Sequence, residues 1–193
     1  MPHRRFSQAI SEGDGISVIA AVDDPDAARA AESQRAEALV VSRDPRGVRE
    51  ASGLPILWRA DVSLEEASQA ADAYLLVVES LDEDELEALH QRAIDLGLDC
   101  VVDVRNEEEL EHALEVVDPE IFLLSPRDAD GDEGPLETVL DLLPSVPAGK
   151  LAIADLPLTT PDEIATLERA GVDAVIVAAR DVSLLAGGPP PEV

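Results

Sequence analysis

One stretch, Lys150 to Val177 (KLAIADLPLTTPDEIATLERAGVDAVIV), constrains the fold more than any other part of the chain. The apolar run LAIA reads as a strand. After a turn, Thr160-Pro161-Asp162-Glu163 opens a helix. Thr160 can cap free backbone N–H groups, Pro161 takes the first helical position, where its missing N–H costs nothing, and Glu163 completes a capping box. Gly171 ends the helix, and AVIV is a second strand with the continuous apolar character of burial on both faces. A strand–helix–strand unit this short requires parallel strands joined by a helical crossover.

The unit recurs. Helix-to-strand junctions read AEALVV at 36–41, ADAYLLVV at 71–78 and VDAVIV at 172–177. Helix starts read Ser63-Leu-Glu-Glu66, Asp82-Glu-Asp-Glu85, Asn106-Glu-Glu-Glu109 and Thr160-Pro-Asp-Glu163. Each begins with a capping residue and carries acids where the helix dipole favours them. The pattern predicts strands at 16–22, 37–42, 54–58, 73–78, 98–104, 120–125, 150–155 and 173–178. Helices are expected at 5–12, 24–35, 63–71, 82–96, 107–116, 135–143 and 161–170, with a single turn in 44–53. Eight parallel strands with crossover helices predict an α/β fold, a minimal (β/α)8 TIM barrel. An open doubly wound sheet is the alternative, but no GxGxxG follows the first strand. The first and second βα loops are short, since Asp24-Pro25 opens a helix directly after the first strand. After the last strand only DVSLLAGGPPPEV remains, so the eighth helix is truncated. The expected organisation is one barrel domain over 1–186 and a Pro-rich tail over 187–193. Apolar wall near the eighth helix is expected to be exposed, which favours a homodimer or another protein partner.

Apolar residues make up 46% of the chain but aromatics only 2%, so the core must be aliphatic. No apolar run is long enough to span a membrane, and the N-terminus lacks a signal core, so a cytoplasmic location is expected. Cys100, the one cysteine, excludes a disulfide framework. The net charge of −28 disfavours nucleic acid and anionic lipid as partners. Acids spread over helix faces suggest a halophilic protein; an ordinary acidic proteome is the alternative.

The order and wording of these segments resemble the indole-3-glycerol phosphate synthase family over nearly the whole chain. ISVIAAV is similar to that family's first strand, LPILWRADV to its third, and DCVVDVRNEEELEHAL to its fifth strand and helix. LLSPRD is similar to the sixth strand, and LAIADLPLTTPDEIATLERAGVDAVIV to the seventh and eighth. The resemblance implies a (β/α)8 enzyme of tryptophan biosynthesis, a lyase that closes an indole ring with a lysine general acid, a second lysine, glutamates and a phosphate cradle. This chain departs from that set. Ala21 and Asp23 stand where the family has Glu and Lys. Arg59 replaces the catalytic lysine and, being always protonated, cannot donate a proton as Lys does. Asp103 replaces a glutamate and Ser125 an asparagine, while Arg127 and Asp128 are retained. Asp155-Leu156-Pro157 replaces Glu-Ser-Gly, and Ala178-Ala179-Arg180 replaces Gly-Glu-Ser. The expectation is a degenerate, pseudoenzyme-like barrel that binds a small anionic ligand or a protein partner. Altered lyase or isomerase chemistry on a phosphorylated substrate, and retained synthase activity, are the alternatives.

Ligands bind at the C-terminal ends of barrel strands. Arg43, Arg59, Arg105, Arg127 and Arg180 follow strands two, three, five, six and eight, and a guanidinium fork suits phosphate or carboxylate. Arg43, Arg127 and Arg180 each precede an Asp, and Asp103 lies near Arg105, so pairing among rim charges is the competing reading. Asp103 and Asp155, with Arg59, are the candidate catalytic groups; the alternative is that the acids merely hold arginines. Arg43, Arg105, Ser125, Arg127 and Arg180 are the candidate anion-binding groups. Asp128 to Gly134 looks like a calcium loop but has Glu133 and Val139 at two essential positions. His3, His90 and His112 lack metal partners at ligand spacing. No metal and no cofactor is expected. Trp58 is assigned to the core.

Overall fold

The computed structural model describes residues 6–13, 15–59, 63–126 and 134–185. It shows a closed barrel of eight parallel strands in sequence order. The strands are β1 (Ser17–Ala21), β2 (Ala38–Val41), β3 (Ile56–Trp58), β4 (Ala73–Val77), β5 (Asp99–Val104), β6 (Ile121–Leu124), β7 (Leu151–Ala154) and β8 (Ala174–Ala178). A helix, α1 (Phe6–Ser11), precedes β1. The crossovers are α2 (Pro25–Ser33), α3 (Arg46–Ala51), α4 (Leu64–Ala67), α5 (Glu83–Asp95), α6 (Glu107–Val116), α7 (Pro135–Leu142) and α8 (Pro161–Ala170); α9 (Val182–Leu185) follows β8. The predicted caps form: Ser63, Asp82, Asn106 and Thr160 each accept the backbone N–H three residues on. Gly171 closes α8 in the left-handed conformation, at φ 101°. The helix expected over 63–71 shortens to α4, where the Ser68 hydroxyl bonds back to the Glu65 carbonyl.

Stepping the pairing register around the strands returns to β1 displaced by eight residues. That stagger is the one that lets inward side chains of alternate strands share a layer. Ile19, Val40, Leu57, Leu75, Val101 and Leu123 belong to the barrel interior. The intervening residues, including Trp58, Tyr74 and Phe122, form the shell between strands and helices. Trp58 is therefore core, as expected.

The N-terminal end of the barrel, its base, is plugged by α1. Phe6 and Ile10 are buried in one cluster with the small residues Ala38, Ala73 and Ala174. Asp99 accepts the Ser7 N–H at 2.8 Å, and the Ser17 hydroxyl donates to the Ile10 carbonyl at 3.2 Å. Two further acids staple strand starts. Asp72 accepts the Ile56 N–H, and Asp173 accepts the Ala152 N–H, both at 2.8 Å. These positions lie four strands apart around the barrel, so the same device recurs in each half.

The expected exposed wall is absent among the described residues. Val18, Val175 and Val177, the outward residues of β1 and β8, are buried. The short α9 suffices because Leu185 turns in against this wall while Leu184 stays 61% exposed. The tail 187–193 lies outside the described residues. Among the described residues no helix is long and apolar enough to cross a membrane.

Candidate active site at the mouth of the barrel

Because side chains alternate across a strand, the last inward positions define the mouth. The register brings Ala21, Arg59, Asp103 and Asp155 into one layer from the odd-numbered strands. Val77, Ser125 and Ala178 form the next layer outward, from even-numbered strands. Backbone bonds that continue the sheet fix three of these positions: Arg59 N–H to Val41, Ser125 N–H to Val104 and Asp155 N–H to Leu124. Thus the candidate catalytic residues Arg59, Asp103 and Asp155 do converge.

Two contacts organise them. Arg59 Nη2 lies 2.7 Å from Asp155 Oδ2, an ion pair about three-quarters buried. The contact is Coulombic rather than a directed hydrogen bond: Arg59 Nε and Nη2 are buried without a hydrogen-bond acceptor among the described residues. Asp103 accepts a hydrogen bond from the Ser125 hydroxyl, and both are buried, at 1% and 0% exposure. Asp155 thus meets Arg59, while Asp103 meets Ser125.

The rim arginines divide. Arg105 is nearly buried and pairs with Glu79, beyond β4, and at 4.0 Å with Glu109 of α6. Glu109 also accepts the Arg105 N–H at 2.9 Å. Arg105 is thus a rim tie. Its partners were not among the predicted site residues; the Asn106-Glu-Glu-Glu109 helix start was the available signal, since an acid at the third helical position can reach back across the cap. Arg43 is exposed and makes no ion pair among the described residues; the adjacent Asp44 instead pairs with Arg46 at 2.5 Å. That pairing holds the Asp44 carboxyl down at about 2, chiefly through the Arg46 side-chain hydrogen bonds. Arg180 is 86% exposed and reaches Asp181 only at 3.5 Å. Arg127 and the calcium-like loop at 128–133 lie outside the described residues.

A cavity of about 650 Å³ opens between the ends of β7, β8 and β1. Arg59, Asp155, Arg180 and Asp181 supply its charge, and Leu156, Leu158, Ile176 and Leu184 much of its apolar wall. Ala21 and Ala178, small residues at inward positions, leave this space open. Among the described residues no group of three His, Cys, Asp or Glu side chains could hold a metal ion.

The family model of indole-3-glycerol phosphate synthase matches residues 56–180. The chain belongs to the indole-3-glycerol phosphate synthase family. A relative from Geobacillus sp. (strain WCH70), named indole-3-glycerol phosphate synthase, is 34% identical over 166 residues, covering 78% of this chain and 64% of the relative. One of the same name from Shouchella clausii is 32% identical over 136 residues, 67% of this chain and 53% of its own. The chain thus spans between about half and two thirds of the length of these curated relatives. Thiamine phosphate pyrophosphorylase from Pyrococcus furiosus superposes with a TM-score of 0.67 at 16% identity, over 89% of this chain and 94% of its own, which shows a shared barrel fold. The family model covers the barrel from β3 to the end of β8, and the alignment with the Geobacillus relative takes in more of the chain, 78% of it. Within the match, the strand ends carry Arg59, Asp103, Ser125 and Asp155.

The chain has a single lysine. Lys150 lies just before β7, at the base. Its ammonium pairs with Asp118 at 2.7 Å and donates to the Asp118 carbonyl at 3.1 Å. It sits at the opposite end of the barrel from the mouth, so the mouth has arginine as its only strong cation type.

Proposed function

We propose that this chain is a degenerate member of the synthase family that no longer closes the indole ring and instead binds a small carboxylate- or phosphate-bearing ligand at the mouth. The observation that carries this reading is the position of Lys150: the chain's one lysine is tied to Asp118 at the base. The resemblance calls for a lysine proton donor after β3, and Arg59 there stays protonated. The same arginine lines the cavity with Nε and Nη2 making no hydrogen bond among the described residues, so its guanidinium edge is available to an incoming anion. The cavity volume is in the range of small-molecule sites.

The test has two arms. Incubation with the ring-closure substrate of the synthase should produce no indole-3-glycerol phosphate; turnover abolished by Asp103→Asn would instead establish retained or altered chemistry. Thermal-shift titration in molar KCl with carboxylates, phosphate monoesters and indole-3-glycerol phosphate should give a saturable shift that Arg59→Ala removes. At about a hundred times the dissociation constant the gain should be roughly 2.7 kcal/mol. No shift with any anion would reject the binding reading.

A further inference from the structure

The four charges of the cavity balance. Arg59 and Arg180 face Asp155 and Asp181 around a largely apolar wall. A ligand that is only an anion would satisfy the arginines and be repelled by both acids. A ligand that carries an anionic and a cationic group on one carbon would satisfy both. The Arg59–Asp155 pair presents the matching half. Nε and Nη2 lie on one edge of the guanidinium, the spacing that two oxygens of one carboxylate accept; neither makes a hydrogen bond among the described residues, and Nη2 meets Asp155 only as an ion pair. Asp155 touches Arg59 through Oδ2, and its Oδ1 makes no hydrogen bond among the described residues, leaving it to accept from an ammonium. The apolar wall of Leu156, Leu158, Ile176 and Leu184 then lies beside the pair, where a side chain branching from the same carbon would be buried. Ala21 and Ala178 provide the room for it.

We propose that the ligand of this cavity is a zwitterionic α-amino acid with a large apolar side chain. Its carboxylate sits on the Nε–Nη2 edge of Arg59, its ammonium on Asp155, and its side chain against the leucines of the β7 loop and α9. The inference rests on the binding site proposed above and narrows the ligand from an anion to a zwitterion.

Calorimetric titration of the full chain at constant ionic strength separates the two. The probes are L-phenylalanine, 3-phenylpropionate, which lacks the ammonium, and phenethylamine, which lacks the carboxylate. L-Phenylalanine should bind at least tenfold more tightly than either analogue. In Asp155→Asn its affinity should fall about tenfold while that of 3-phenylpropionate changes by less than twofold. Equal binding of L-phenylalanine and 3-phenylpropionate by the unaltered chain would overturn the zwitterion assignment and leave the anion site standing. Binding of phosphate monoesters alone would have the same consequence. Absence of binding by every amino acid, carboxylate and phosphate ester tried would overturn both.

Discussion

The base and the mouth of this barrel use the same residue types differently. At the base Asp72, Asp99 and Asp173 each accept a backbone N–H, and Asp72 also pairs with Arg49, whose guanidinium donates to the Leu54 carbonyl. At the mouth Arg59 meets Asp155 but buries Nε and Nη2 without acceptors. The base spends its polar groups on holding strands in register. The mouth instead gathers charged side chains around a cavity. Such a division is what a barrel needs if one end maintains the fold while the other end varies.

Substitutions should reveal this asymmetry. The largest loss is expected from Phe6→Ala, which empties the plug from a fully buried position and should cost about 3–5 kcal/mol in denaturant unfolding. A loss below about 1 kcal/mol would mean that α1 is not part of the closed base. Asp72→Ala should cost about 2–3 kcal/mol, less than a fully buried pair because both partners keep some exposure, and it also strands the Ile56 N–H. Arg59→Ala, by contrast, should change stability by no more than about 1 kcal/mol, since Arg59 and Asp155 both line the cavity and keep some exposure. If Arg59→Ala proves as damaging as Asp72→Ala, the contrast between the ends collapses.

A smaller effect is expected at the α8 cap. Glu163 accepts the Thr159 and Thr160 N–H groups at 2.8 and 2.9 Å. These backbone bonds, Thr159 first, hold its carboxyl below its ordinary value of 4.5. A carboxyl lowered by folding stabilises fully above the unfolded value, and the contribution disappears as pH falls through the folded value. Stability should therefore decline below about pH 4.5 more steeply in the parent than in Glu163→Gln, measured by chemical denaturation across pH. Equal slopes would remove Glu163 from the acid response. The least perturbing test leaves the chain unaltered. Burial pushes the Cys100 thiol up to about 12, so a thiol reagent at pH 8 should react only after unfolding.

The contrast between the ends also explains what the sequence disclosed. Strand order and helix starts were readable because they depend on local chemistry: Thr160, Pro161 and Gly171 define α8 within a few residues. Layer membership of Arg59, Asp103 and Asp155 was half readable, since period two fixes the face but not the stagger between distant strands. Partner choice was not readable. Asp44 takes Arg46 rather than Arg43, and Arg105 takes Glu79 from a neighbouring strand's loop. In a chain with 42 acids, adjacency in sequence says little about which acid an arginine will meet in space. The apolar wall was misjudged for a related reason: residue count suggested a missing helix, while packing shows that one turn of α9 with Leu185 inward covers it.

Closure of the barrel depends on β1 pairing with β8 along five registered positions, Ser17 with Ala174 through Ala21 with Ala178. During synthesis on a ribosome, β8 emerges after the other seven strands. Until it does, β1 and β7 are both unpaired edges, the arrangement most prone to joining with a neighbouring nascent chain. The chain's charge of −28 is then an asset well before any ligand arrives, because like-charged chains on one polysome repel one another during the interval in which the sheet stands open.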